Sequence, residues 1–168
     1  MTLTERFIER LEALKEGERS RLRRLAGQPL DESLPGFDLF TGLWWPLRQN
    51  SPRAPRRETS WLVAKLYAAV GVPQQKDAAL PVVLGRCEPR DDFGRKRHRR
   101  RFDALLRAPL AGLEPHLRWA LSEAARPAGG ADWVQLLEDL RTWDRSQDRA
   151  GGTNVRDKWA CQYLEAAK

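Results

Sequence analysis

The sequence predicts an all-α fold, arranged as two small helical bundles packed together. Three observations carry that reading. Apolar residues recur at i, i+4, i+7 spacing along almost the whole chain. Glycine and proline fall where those stripes stop. The one stretch with strand character, residues 80–84, is short and interrupted by Pro81. At 168 residues, 41% hydrophobic with seven Trp, the chain has material for a core without disulfides.

The elements follow in order. Leu3, Phe7, Ile8, Leu11 and Leu14 form the first stripe, with Thr2 and Glu5 as a capping box. The stripe continues through Leu22 and Leu25 despite Gly17, so one helix is expected up to Gly27 and Pro29. Leu39, Leu43, Trp44 and Leu47 predict a short second helix around Pro46. Trp44 and Trp45 are adjacent, so one of them must leave the core face. Residues 51–57, with two Pro and three Arg, read as an exposed loop. Leu62, Leu66, Ala69 and Val70 form the third stripe, stopped by Gly71 and Pro73. Residues 80–84 are expected as a short helix or an extended connector. The turn-rich stretch 88–94 divides a bundle of residues 1–90 from one of residues 91–168.

Four helical segments are expected after that boundary. The first covers 99–107, and the second runs from Pro109 or Leu110 to Ala125. Asp132 is an N-cap for the third, with Trp133, Leu136, Leu137, Leu140 and Trp143 on its face. A loop with Gly151 and Gly152 leads to a last helix carrying Val155, Trp159 and Tyr163.

Charge is concentrated in one place. Residues 95–101 read Arg-Lys-Arg-His-Arg-Arg-Arg, and residues 95–107 hold seven Lys/Arg against Asp103, a net +6. The whole chain carries +7. Such a field attracts a polyanion, and a nucleic-acid backbone is the commonest one. The 24 Arg against 6 Lys suit phosphate recognition, because the guanidinium fork grips phosphate at two points. Turning a helix by about 100° per residue puts Phe102, Leu105 and Leu106 on its buried side. Lys96, Arg97, Arg100 and Arg107 then form an outward ridge, with Arg101 on the flank. Arg95, His98 and Arg99 fall on the buried phase, so the helix either begins near Arg99 or projects its first turn past the core. Both versions leave the cations largely unneutralised. Arg21, Arg24 and Arg118 are further candidate contacts. No zinc-finger spacing, helix-turn-helix or aromatic RNA-binding strand is present, so phosphate contact without base readout is the expected mode.

Catalysis is not expected. His98 and His116 have no carboxylate or Cys partner at a metal or triad spacing, and read as ordinary surface histidines. Asp91 and Asp92 stand together in a turn, where Asp is at home without a metal. No phosphate-binding GxxxxGK[ST] loop occurs, and no cofactor or metal is expected. Cys87 and Cys161 match no disulfide framework, and the N-terminus is charged from Glu5. No apolar run approaches a membrane span, so a cytoplasmic protein without membrane contact is expected.

Asp132-Trp133, Leu136-Leu137, Asp139-Leu140 and Trp143, followed by Val155-Arg156, Trp159-Ala160 and Tyr163, resemble the CasB family. That family is the small subunit of the type I-E CRISPR Cascade complex. Leu43-Trp44-Trp45-Pro46-Leu47 and the basic run ending in Arg101-Phe102-Asp103-Ala104-Leu105-Leu106 also fit. The resemblance implies a non-catalytic, two-bundle subunit present in two copies beside other Cascade subunits. It implies contact with guide RNA, target DNA and the displaced strand, sequence being read by base pairing. The candidate contact residues rest on charge and helical phase. The rival expectation is a basic helical scaffold that docks onto an acidic protein.

Overall fold

The computed structural model describes residues 1–28, 34–144 and 154–168. Within them the fold is all-α. The helices are α1 (Leu3–Glu12), α2 (Glu16–Arg24), α3 (Leu34–Asn50), α4 (Arg57–Val70), α5 (Leu80–Arg86), α6 (Asp92–Arg107), α7 (Glu114–Ala128), α8 (Trp133–Leu140) and α9 (Val155–Ala166), with a 3-10 turn at Leu110–Gly112. No described helix is long and apolar enough to cross a membrane.

The expected first helix is two. Ala13 closes α1, and the Glu18 carboxylate accepts the Lys15 backbone N–H at 2.9 Å to open α2. Local capping at 15–18 outweighs the continuous apolar stripe. The second helix is longer than expected. Pro46 sits inside α3, and the Asn50 side chain donates to the Pro46 carbonyl at 2.8 Å. Residues 80–84 are helical, with Pro81 in the first turn, where its missing N–H costs nothing. The basic helix begins at Asp92, well before Arg99. The loop expected around Gly151 and Gly152 lies outside the described residues.

α4 is the central element. Residues 59–68 are buried on every side of it. It packs against α2, α3, α7 and α8. The α5–α9 pair is the most extensive helix contact, and α5 also meets α7. Apolar packing therefore runs across residue 90, and the buried residues form one continuous cluster from Phe7 to Tyr163.

Tryptophan supplies both mass and orientation. Trp133, Trp143 and Trp159 are fully buried. Their indole N–H groups donate to Val72 O (2.9 Å), Ala108 O (2.9 Å) and the Asp139 carboxylate (2.8 Å). Trp61 and Trp44 likewise donate to Gln28 O and Pro55 O. Each ring fills core while its polar edge fixes a connection. Trp45 is the neighbour that leaves the core, at 50% exposure.

Candidate nucleic-acid interface

The interface is built on α6. Asp91 caps it, its carboxylate accepting the Gly94 N–H at 2.6 Å. Asp92 follows in the first turn, where negative charge suits the helix dipole. These adjacent acids are thus engaged in starting a helix. No cluster of metal-ligating side chains occurs among the described residues.

The inner face of α6 carries His98, Phe102 and Leu105. Phe102 stacks on Tyr163 of α9, with ring centroids 4.4 Å apart. His98 is 6% exposed, which corrects its reading as a surface histidine. Its Nδ1 lies 2.7 Å from the Tyr163 hydroxyl. That hydroxyl donates to Glu88 Oε2 at 2.6 Å, so the histidine is the donor in the other bond. Glu88 also receives Arg99 at two points, 2.7 and 2.9 Å. Burial raises the Glu88 carboxyl, but the bonds from Arg99 and Tyr163 outweigh it and hold its pKa below the usual value. Burial lowers the pKa of His98, against the opposing pull of Glu123 and Glu88. Burial and the Glu88 bond push the Tyr163 hydroxyl up.

Paired residues also correct the expectation of unneutralised cations. Arg95 and Lys96 both reach Asp92, at 3.1 and 3.0 Å. Arg99 is held by Glu88, and Arg107 pairs with Asp103 at 3.0 Å. Arg101 lies over the Trp119 ring of α7, 5.5 Å from its centroid. Arg97 and Arg100 are exposed and have no ion pair among the described residues. They share the side opposite the core with Phe93 and Ala104. Phe93 is 79% exposed.

Seven of the expected contact residues therefore share one helix: Arg95, Lys96, Arg97, Arg99, Arg100, Arg101 and Arg107. Arg118 is exposed on α7, next to the Trp119 that supports Arg101. Arg21 and Arg24 lie on α2, which packs against α3 and α4. Arg21 pairs with Asp38 at 3.2 Å, and Arg24 Nε donates to Ser20 O. The Arg-rich loop 51–57 borders a concavity of about 440 Å³ lined by Arg48, Arg53, Arg56 and Arg141. Arg48 and Arg141 are held there by backbone carbonyls at 52–54. Sequence reasoning missed Phe93, which lies before the basic run, and the Glu88 end of the buried network. Helical phase alone puts His98 inward.

A family model described as CRISPR-associated protein Cse2 matches residues 18–164. Among solved structures, TTHB189, a CRISPR-associated protein of the Cse2 family from Thermus thermophilus, is 27% identical. It aligns over 98% of this chain and 99% of its own, with a TM-score of 0.71. CasB from Thermus thermophilus is also 27% identical over 98% of this chain and 99% of its own, with a TM-score of 0.70. M. ruber CasB shares the fold at 21% identity and a TM-score of 0.72, over 98% and 94% of the two chains. A search of curated protein sequences finds no match. The match over nearly the whole chain, the helical fold and the structural likeness together place this protein in the CRISPR-associated Cse2 family.

Proposed function

We propose that this protein is the non-catalytic small subunit of an RNA-guided Cascade interference complex. It grips nucleic-acid backbone through α6 without reading sequence, and so stabilises the guide–target R-loop and its displaced strand. The observation that carries this reading is the exposed α6 stripe, where Arg97 and Arg100 have no carboxylate partner among the described residues and stand opposite a packed inner face. Unpaired guanidiniums on a rigid helix suit diester phosphates, whose capture releases counterions. Arg95, Lys96 and Arg107 flank them in exposed ion pairs, which are weak in water and can exchange a carboxylate for a phosphate. The partners are guide RNA, target DNA, the other Cascade subunits and a second copy of this chain. The basic helix belongs to the helical half formed by residues 91–168, which shares one continuous core with the half formed by residues 1–90.

The test is charge reversal at Lys96, Arg97, Arg100 and Arg101, read by DNA binding and by R-loop formation in the assembled complex. Binding should fall, and its salt dependence should flatten, while the helical signal stays unchanged. A variant that binds as the wild type does would overturn the reading. Loss of a co-purifying acidic protein, with DNA binding intact, would favour the scaffold role instead.

A further inference from the structure

We infer that Phe93 is a base-stacking residue, through which the outer stripe of α6 takes single-stranded nucleic acid in preference to a continuous duplex. The inference rests on the phosphate-binding reading of α6 and adds the part of the nucleotide that the phosphate contacts leave unread. Phe93 is 79% exposed, more than Trp45 or Leu164. It sits in the first turn of α6, a turn fixed by the Asp91 cap, so its position is set by rigid backbone. Stepping around the helix by about 100° per residue brings Arg97, Arg100 and Ala104 within roughly 40° of Phe93. The axial rise puts Arg97 about 6 Å and Arg100 about 10 Å further along.

The stripe thus offers one aromatic face followed by two unpaired guanidiniums and then a small residue. No carboxylate lies on it, since Asp92 and Asp103 are turned to the side and already paired. A protein partner would have to bury two unpaired cations beside the ring, which is costly unless it supplies carboxylates. A single strand supplies phosphate for the cations and an unstacked base for the ring. Stacking of that kind tolerates any base, in keeping with a helix that carries no readout motif. In a duplex the bases are already stacked, and Phe93 would gain nothing.

The experiment measures binding of the full-length protein to a labelled thymidine oligonucleotide and to a duplex of equal length. Three variants are compared: Phe93→Ala, Phe93→Trp, and Arg97→Glu with Arg100→Glu. Phe93→Ala should weaken single-strand binding roughly tenfold. Duplex binding and the salt slope should not move, and Phe93→Trp should restore affinity. The double Arg variant should weaken both ligands and flatten the slope. If Phe93→Ala binds the oligonucleotide normally while the Arg variant fails, stacking is excluded and the phosphate reading stands. If neither substitution matters, both fall. If Phe93→Ala keeps its oligonucleotide affinity but drops out of the assembled complex, the residue docks onto protein and the inference is wrong.

Discussion

His98 Nδ1 and the Tyr163 hydroxyl, 2.7 Å apart, lock the inner face of the basic helix to the last helix of the chain. Because that hydroxyl is committed to Glu88, Nδ1 is the protonated, donating nitrogen of the imidazole. His98 Nε2 is buried and has no hydrogen-bond partner among the described residues. A second proton would have to be placed there without an acceptor.

This geometry gives stability a pH dependence. His98 titrates near 6.5 when unfolded and lower when folded, so the unfolded chain binds more protons below about 6.5. Stability therefore falls as pH drops through that window. The lowered pKa of Glu88 acts in the same direction further down, its contribution being lost as pH falls below about 4.5. Melting temperature should decrease between about pH 7.5 and about pH 5.5. His98→Gln should show a shallower decrease; equal slopes for variant and wild type would refute the assignment.

At Gly85 the backbone of α5 lies close against α9. A methyl group there would run into the Tyr163 carbonyl and the Ala166 side chain. Gly85→Ala should cost on the order of 1–3 kcal/mol in denaturant unfolding, the range of overpacked cores. Gly17, inside α2, has open space around it and an ordinary backbone conformation. Gly17→Ala should be neutral or stabilise by about 0.5–1 kcal/mol. The two substitutions must differ in sign or size if the helix crossing is as described.

The buried Lys65 forms an ion pair with the partly buried Glu114 between α4 and α7. Lys65 also donates to Gln28 O at 2.7 Å and lies over the Trp61 ring, and Glu114 accepts the Gly27 N–H. Removing Glu114 strands a buried ammonium. Glu114→Ala should cost about 3 kcal/mol. Combining it with Lys65→Met should cost clearly less than the sum of the two single effects, because the two groups are coupled. Additive losses would show that they are independent.

Within the basic helix the cations should not be equivalent. Among the described residues Arg97 and Arg100 have no carboxylate to give up, whereas Arg95 and Lys96 share Asp92. Reversing Arg97 and Arg100 should reduce the slope of log affinity against log salt by about 2. Reversing Arg95 and Lys96 should reduce it by less. Titrations at several salt concentrations decide the point, and equal slopes would mean that Asp92 does not matter.

Much of this was legible in the sequence for a physical reason. Core stripes such as Trp133, Leu136, Leu137 and Leu140 obey one local rule, and Asp132 caps them as its chemistry demands. The split at 13–15 was hidden because Leu14 keeps the apolar rhythm while Glu18 quietly caps Lys15. The basic run announced itself by composition, but its neutralisation did not. Glu88 is 11 residues from Arg99 and 75 from Tyr163, so only folding brings them together. Phe93 escaped because an aromatic residue before a charge run reads as core until its exposure is known.

The distribution of indole rings along this chain has an optical consequence. Trp133, Trp143 and Trp159 are sealed from solvent, whereas Trp45 is open and Trp119 is half-buried between His98 and Arg101. An ionic quencher should therefore darken only part of the intrinsic fluorescence. Occupation of α6 should shield Trp119 while leaving Trp45 as exposed as before. The protein carries both the reporter and its internal reference, and binding can be followed without attaching a dye.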